Sequence, residues 1–305
     1  MLIKKKIVMN IIQNKEHNIY VEQFNSVQEF VKYISTARTN TAFRKKYGDD
    51  LTRLSSSREE VCEDDEDAWR GTKTMDKAAF LLKHGYKDGV KNLTAPINKV
   101  RVINDISKIN TRRSVVGGAP CVPAVIMGLP KTMYRRTKTQ IKQPVVNIYY
   151  DRSAGSSLES QDLVRGGQMI YQTVQALERQ NVRVNLYIII GTTTRKKSNE
   201  LRHAFATIKV KSAEMPINPQ LVSYPIIHTA FFRRHVFRWI EVSAGTSYTG
   251  YTNGYGMATR NAVRNIPQLL LKGHIIGPND YYLDCVNAME CKTVDDVLLR
   301  MGLQL

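Results

Sequence analysis

Residues 145–190 read VVNIYYDRSAGSSLESQDLVRGGQMIYQTVQALERQNVRVNLYIII. Two apolar runs in this stretch, Val145–Tyr150 and Val182–Ile190, have the length and composition of buried strands. Between them, Ser157 is placed to cap a helix that continues to about Gln180 and carries an apolar stripe. A strand, a helix and a second strand of this size predict parallel strands joined by a right-handed crossover.

The pattern continues toward the C-terminus. Thr207–Lys211 alternates and predicts a third strand, antiparallel to the second. Pro219–Glu241 predicts a long apolar helix, and Leu269–Ile276 predicts a further apolar strand. Strands that alternate with helices predict an α/β domain over residues 144–305, with three layers and a mostly parallel sheet.

The N-terminal part differs in character. Residues 1–110 predict a smaller, mainly helical domain, for example from Ser26 as an N-cap through apolar residues at helical spacing to Ile34. Residues 111–143 are rich in glycine and proline, which stop regular elements, and predict an ordered basic connection with one short apolar piece, Val122–Met127.

Composition excludes several classes of protein. The chain has 305 residues, of which 42% are hydrophobic and 24% are charged, as in ordinary globular proteins. No apolar run is long enough to span a membrane, so we expect no membrane partner. The N-terminus has no apolar core region or cleavage site, so we expect no secretion. Four scattered cysteines indicate a reducing compartment.

The net charge of +18 is unusual and points toward polyanions. It peaks in residues 101–150, which hold nine basic residues and one acidic residue. Two alternatives remain open, a solvated basic surface and an ion-paired contact with the acidic run Glu63–Asp67. The candidate contacts to DNA or RNA are Arg112, Arg113, Lys131, Arg135, Arg136, Lys138 and Lys142.

The first predicted strand ends in an oxygen-rich loop. Asp151 and Ser153, with Ser156 close behind, present a carboxylate and hydroxyls of the kind that Mg²⁺, Mn²⁺ or Ca²⁺ prefer. Asp and Ser before a helix are equally well explained as N-cap residues. Thr252 lies in a later glycine-rich loop, and Asp280 follows the predicted strand Leu269–Ile276, so both are expected at the same edge of the sheet.

These features resemble the von Willebrand factor A (vWA) family. A strand ending in D-x-S-x-S, a loop of G-x-T-x-x-G type and a later strand-end Asp mark its metal-ion-dependent adhesion site. The likeness covers roughly residues 144–290, although Gly155 stands at the second serine position and Ser156 follows it. The resemblance implies a Rossmann-like sheet and a divalent-cation cofactor such as Mg²⁺. The implied ligands are Asp151, Ser153, Ser156, Thr252 and Asp280.

Three other segments are similar to an uncharacterised family encoded by tailed phages and prophages. They are W-x-G-T at residues 69–72, VPAVIMGLP-x-x-M at 122–133 and FFRRHVFRWIE at 231–241. The likeness implies a phage protein that works in the cytoplasm of the infected cell or in the virion.

No catalytic motif is recognisable in the chain. We therefore predict a non-enzymatic binding or assembly protein that holds a phage or host protein at its strand-end loops, through a divalent cation. The alternative is a nucleic-acid-binding protein that uses the basic surface, and a metal-dependent hydrolase ranks third. Arg233, Arg234 and Arg238 form either a basic strip on a helix or pairs with buried carboxylates such as Glu241 or Asp162.

Overall fold

The structure is a computed structural model of the full chain. It describes residues 10–14, 18–48, 51–65, 68–94, 107–140, 144–153, 159–195, 200–246, 255 and 257–303. The strands in these ranges are β1 (Asn10–Asn14), β2 (Ile19–Phe24), β3 (Ser107–Ser114), β4 (Ala119–Pro120), β5 (Met133–Gln140), β6 (Val145–Asp151), β7 (Arg183–Arg195), β8 (Leu201–Lys211), β9 (Met257–Ala258) and β10 (Tyr281–Asp284).

The helices lie mainly on the two sides of one large sheet. They are α1 (Val27–Thr36), α2 (Thr41–Tyr47), α3 (Met75–His84), α4 (Lys87–Leu93), α5 (Val122–Ile126), α6 (Ser160–Arg179), α7 (Pro219–Ile227), α8 (Phe237–Val242), α9 (Thr259–Ala262), α10 (Ile266–Lys272), α11 (Cys285–Glu290) and α12 (Val294–Met301). A π-helical turn, Phe231–Val236, leads into α8. None of the helices in the described ranges is long and apolar enough to cross a bilayer.

The large sheet has the strand order β1-β2-β8-β7-β6-β10, and β9 pairs with β7 off this path. Strands β6 and β7 are parallel and are joined by α6, as the sequence predicts. Strand β8 is antiparallel to β7, which confirms the predicted third strand. Strands β10 and β2 add parallel neighbours to β6 and β8. The fold is therefore of the α/β class.

Successive side chains of the strands point to opposite faces of the sheet, and each face carries one hydrophobic cluster. On β7, Ile188 belongs to the larger cluster, whereas Ile189 belongs to the smaller one. The larger cluster contains the apolar stripe of α6, including Val174, and the smaller one contains Leu270 of α10. Helices thus cover both faces, which gives the predicted three layers.

The N-terminal part shares this sheet and this core. Strand β2 pairs with β8, and Phe30 and Ile34 of α1 lie in the same cluster as Val174. The sequence pattern did not reveal β2 because Glu22 interrupts its short apolar run. Glu22 is nevertheless fully buried and accepts hydrogen bonds from Tyr20, Tyr33, Trp239 and Ser243. These residues therefore pack as part of the α/β core, and not as a smaller helical domain that precedes it.

Two expected elements are different in the structure. The first half of the predicted strand Leu269–Ile276 is the end of helix α10, which Asn265 caps by accepting the N–H of Gln268 at 3.1 Å. An apolar run of this length fits a strand or a buried helix equally well. The predicted helix Pro219–Glu241 is divided at His228, whose backbone is extended with ψ 129°.

Residues 107–140 form a second sheet, which we call the arm. Strands β3, β5 and β4 pair antiparallel in the order β3-β5-β4, and α5 lies between β4 and β5. The sequence predicted an ordered connection without regular elements over residues 111–143. The glycines and prolines that suggested it are confined to residues 117–130, whereas the flanking segments are free of both and form the two long strands.

Candidate functional site

Asp151 ends strand β6 and is fully buried. Its Oδ1 accepts the N–H of Ser153 at 2.7 Å, and its Oδ2 accepts the hydroxyl of Tyr282 at 2.8 Å. Burial raises the pKa of this carboxyl despite these hydrogen bonds. Ser153 is also buried, and its Oγ accepts the N–H of Gly191 at 2.6 Å. The side-chain oxygens of Asp151 and Ser153 thus accept hydrogen bonds from other groups of the protein.

Asp280 lies at the opposite edge of the sheet from Asp151. The parallel register pairs Tyr281 with Ile148, so Asp280 precedes β10 instead of following a strand. Its Oδ1 accepts the side-chain amide of Asn147 at 2.8 Å, which fixes it at the amino end of β6. The expected convergence of Asp151 and Asp280 on one ion is therefore wrong, because the segment before Asp280 is a helix and the strand comes after it.

The carboxylate that lies next to Asp151 is Asp284, the last residue of β10. Its Oδ1 accepts the N–H groups of Val286 and Asn287 at 3.0 and 2.9 Å, so it caps α11. This residue was not predicted from the sequence. The short run YYL before Asp284 could have been recognised as a strand that leads into a helix. The longer apolar run Leu269–Ile276 was predicted to be the strand instead.

The described members of the expected cation site do not fit an ion. Asp151 and Ser153 are occupied by protein hydrogen bonds, and Asp280 is at the other edge. Ser156 and Thr252 lie outside the described residues. Within the described ranges, no group of three or more His, Cys, Asp or Glu side chains is placed to hold a metal. We therefore derive no chemistry through Mg²⁺ at this edge.

A cleft of about 510 Å³ opens at the carboxyl end of β10. Tyr282, Asp284 and Asn287 line it from one side, together with Arg300 of α12. Arg300 donates to the side chain of Glu290 at 3.0 Å and to Asn287, so it is held in place by its neighbours. The cleft lies beside Asp151 at the edge where α/β sheets usually bind ligands.

The arm presents arginines on both of its faces. The antiparallel register places Arg112 directly opposite Arg135, and residues opposite each other point to the same face. The next positions, Arg113 opposite Tyr134 and Thr111 opposite Arg136, point to the other face.

All four arginines are exposed, and so is Lys131. The whole arm contains seven basic residues and no acidic residue. Lys138 lies in β5, but its side chain is outside the described atoms, and Lys142 is outside the described residues. The structure thus brings five of the seven candidate nucleic-acid contacts together on one exposed ribbon and the turn beside it.

The end of the arm is apolar and exposed. Ile126 is 80% exposed and Met127 is 67% exposed, and they belong to a group of six large apolar side chains that are each more than half exposed. The tip residues are Val115, Val116, Val122, Val125, Ile126 and Met127. The sequence showed Val122–Met127 as an apolar piece, but only the structure shows that these side chains face solvent.

The buried arginines near the π-helical turn have structural partners. Arg234 is fully buried and donates to the backbone oxygens of Ser56, Arg58 and Thr72 at 3.0, 2.8 and 2.5 Å. It therefore fastens the segment 56–72 to the body of the protein. The W-x-G-T segment and the FFRRHVFRWIE segment are thus in direct contact.

The neighbouring arginines behave in the same way. The guanidinium of Arg233 lies 4.3 Å from the ring centre of Trp69, a cation–π contact. Arg238 lies 3.5 Å from the buried carboxylate of Glu241. The predicted pairing with a buried carboxylate therefore holds for Arg238 with Glu241, whereas Arg234 binds backbone carbonyls and Arg233 packs on Trp69.

Comparisons with known proteins identify a family. No curated protein and no solved structure matches the chain. The model of a domain of unknown function, DUF7192, matches residues 5–304. Because this match spans nearly the whole chain, the protein belongs to the DUF7192 family.

Proposed function

We propose that the protein is a non-enzymatic nucleic-acid-binding protein whose arm contacts the phosphate backbone. The observation that carries the proposal is the arrangement of arginines on the arm. Arg112 and Arg135 share one exposed face, Arg113 and Arg136 lie on the other, and residues 107–140 contain no carboxylate to neutralise them.

Electrostatics favours an anionic partner for this surface. Like charges directly opposite each other on a β-ribbon destabilise it, and here no acidic neighbour within the arm offsets the repulsion. A polyanion relieves it and also releases condensed counterions when its phosphates are neutralised. The side chains that repel each other in the free protein are therefore those that favour binding.

The test is nucleic-acid affinity measured by fluorescence anisotropy between about 50 and 200 mM salt. Arg112, Arg113, Arg135 and Arg136 are changed together to Gln. A matched control carries the same charge change on exposed body residues, Lys32, Lys45, Lys83 and Lys87. We expect the arm variant to lose affinity for every sequence and its salt slope to become shallower by about 3 to 4, at roughly 0.9 per lost contact. Equal losses in the two variants would exclude a specific role for the arm.

A protein-binding role at the strand-end edge is the second candidate. It is favoured by the cleft at the end of β10 and by the register that puts Asp284 beside Asp151. The vWA-like nature of the sheet is part of this proposal. Its support is the parallel set β7, β6 and β10, the antiparallel β8, and a D-x-S strand end next to a strand-end Asp. The partner would be a phage or host protein.

The sequence likeness to tailed-phage proteins supports a setting for either role. We propose that the protein works on nucleic acid in the cytoplasm of an infected cell or within the virion. Expression of a tagged copy during infection, followed by capture and by nuclease treatment of half of the captured sample as a control, tests this setting. Nucleic acid recovered with the wild type but not with the four-arginine variant would support it, and equal recovery would contradict it.

A further inference from the structure

The tip of the arm has a feature that phosphate binding does not explain. Its exposed side chains are large and apolar, and they are contiguous in the chain at Val125, Ile126 and Met127. Single exposed apolar residues are ordinary on protein surfaces, but a group of them at the end of a charged ribbon indicates a binding surface. The question is what covers it.

The tip has a defined shape in the free protein. Cys121 and Ala124 are buried within it, and the Cys121 thiol donates to the hydroxyl of Tyr134 at 3.1 Å. The N–H of Cys121 donates to the carbonyl of Thr132 at 2.7 Å, and that of Leu129 donates to the carbonyl of Ala124 at 2.9 Å. A preformed tip loses little conformational freedom when it inserts into a partner.

Charge selects the class of partner. A second copy of this chain would bring another arm without carboxylates and another net charge of +18, so the two arms would repel each other. A flat anionic surface would neutralise one face of the ribbon only. The groove of a duplex has phosphates along both walls, which fits Arg112 and Arg135 on one face with Arg113 and Arg136 on the other.

The small number of aromatic residues in the arm favours a duplex over single-stranded nucleic acid as the partner. Proteins that bind single strands without sequence preference stack bases on several aromatic rings. The arm contains one aromatic residue, Tyr134, and its hydroxyl already accepts the Cys121 thiol. Strands β3 and β5, in contrast, form a two-stranded ribbon over most of their length, because β4 pairs with β5 at two positions only, and a duplex groove admits such a ribbon.

We propose that the arm enters a groove of duplex nucleic acid and that Ile126 and Met127 insert between adjacent base pairs, which unstacks them and kinks the duplex. This inference rests on the proposed nucleic-acid function and goes beyond it by naming the duplex and the inserted side chains. Leu, Ile, Met and similar side chains act as such wedges in proteins that bend DNA, and arginines on the flanking backbone hold the bent duplex.

The experiment uses the full chain and a duplex of about 30 base pairs that carries a donor and an acceptor dye at its two ends. Energy transfer reports bending, and anisotropy on the same samples reports binding. The wedge variant is Ile126→Ser with Met127→Ser. The matched control is Leu299→Ser with Met215→Ser, an exposed aliphatic residue and an exposed methionine on the body.

We expect the wild type and the control to raise energy transfer on binding. The wedge variant should still bind, with affinity lowered by about tenfold at most and an unchanged salt slope, but without the rise in transfer. Wild-type binding without bending, or bending that survives in the wedge variant, would overturn the wedge and leave the proposed function intact.

Binding of single-stranded nucleic acid without binding of the duplex would also overturn the inference, whereas failure of the wild type to bind either form would refute the proposed function. Two side measurements address the other occupants of the tip. Sedimentation of the wild type tests self-association, and flotation with vesicles of anionic and zwitterionic lipid tests membrane insertion. Tip-dependent dimers or vesicle binding, with no bending of the duplex, would overturn the wedge.

Discussion

Arg112 lies directly opposite Arg135 in the antiparallel register of β3 and β5, on an exposed face of the arm. Replacing one member by an acid turns a repulsive pair into an attractive one. We expect Arg135→Glu to stabilise the arm by about 0.2–1 kcal/mol while it weakens nucleic-acid binding. Hydrogen exchange of the arm amides and anisotropy, with Arg135→Gln as the neutral control, measure the two effects. Loss of both protection and affinity would show that the arginines support folding of the arm.

Asp151 makes stability depend on pH in a defined direction. Its folded-state pKa is raised above the unfolded value of about 3.9, because burial disfavours the charged carboxylate. The stabilisation that the protonated Asp151 gives the folded state is therefore complete below pH 4 and is lost as pH rises through the folded-state pKa. We expect Asp151→Asn to become increasingly stabilising, relative to the wild type, from pH 4 to neutral pH, because the amide never ionises. Urea unfolding at several pH values measures the difference.

The control for this prediction is Asp280→Asn, at the opposite end of the same pair of strands. A difference between Asp151→Asn and the wild type that does not change with pH would contradict the assignment.

The strand-end edge gives a prediction about divalent cations. We expect MgCl₂ to shift the Tm of the wild type by less than about 1 °C, because the described oxygens of Asp151 and Ser153 already accept protein hydrogen bonds. The same result is expected for Asp280→Asn and Asp284→Asn. A Mg²⁺-dependent rise in Tm that is lost in Asp284→Asn and kept in Asp280→Asn would restore a cation at this edge.

Two fully buried arginines should respond oppositely to the same substitution. Arg234 donates to three backbone oxygens, so Arg234→Met leaves them unpaired and should cost about 3–5 kcal/mol. In Arg152, Nη2 donates to the His228 carbonyl at 3.3 Å, but Nε and Nη1 have no hydrogen-bond partner among the residues that the structure describes. Arg152→Met should therefore be neutral or stabilising by about 1 kcal/mol. Guanidinium unfolding of both variants gives the comparison.

The Arg152 variant also has a spectroscopic readout. Burial and, to a smaller degree, the positive charge of Arg152 lower the pKa of His228 to about 4. Removing the guanidinium should raise this pKa, as followed by the imidazole resonances in an NMR titration. An unchanged His228 pKa combined with a large loss of stability would indicate that the buried Arg152 guanidinium has a further stabilising partner in the folded protein.

Local pattern was sufficient where one element follows the next. Val145–Tyr150, α6 and β7 were predictable because two apolar runs flank an amphipathic stretch and leave one right-handed arrangement, although the N-cap of α6 is Glu159 and not the predicted Ser157. The failure at Leu269–Ile276 had a different origin. Its period fits two structures, and the choice depends on the Asn265 cap and on packing of Leu270 against the sheet, which is a tertiary contact.

The candidate site was harder to predict because a strand has a direction. Reading Asp280 as the end of a strand instead of its beginning moved it across the whole length of β10 and concealed Asp284. The basic residues of the arm were visible from composition. Their division between two faces was not, because alternation has meaning only after a segment is known to be a strand.

The pairing of β2 with β8 has a consequence for synthesis of the chain. Ile19 leaves the ribosome well before its neighbour His203, which is far away in the sequence. Until Lys211 has emerged, β2 has no strand on that side, and Phe30 and Ile34 lack most of the core that buries them. Because this sheet cannot be completed before β8 has been synthesised, β2 must remain unpaired on that side without aggregating until then.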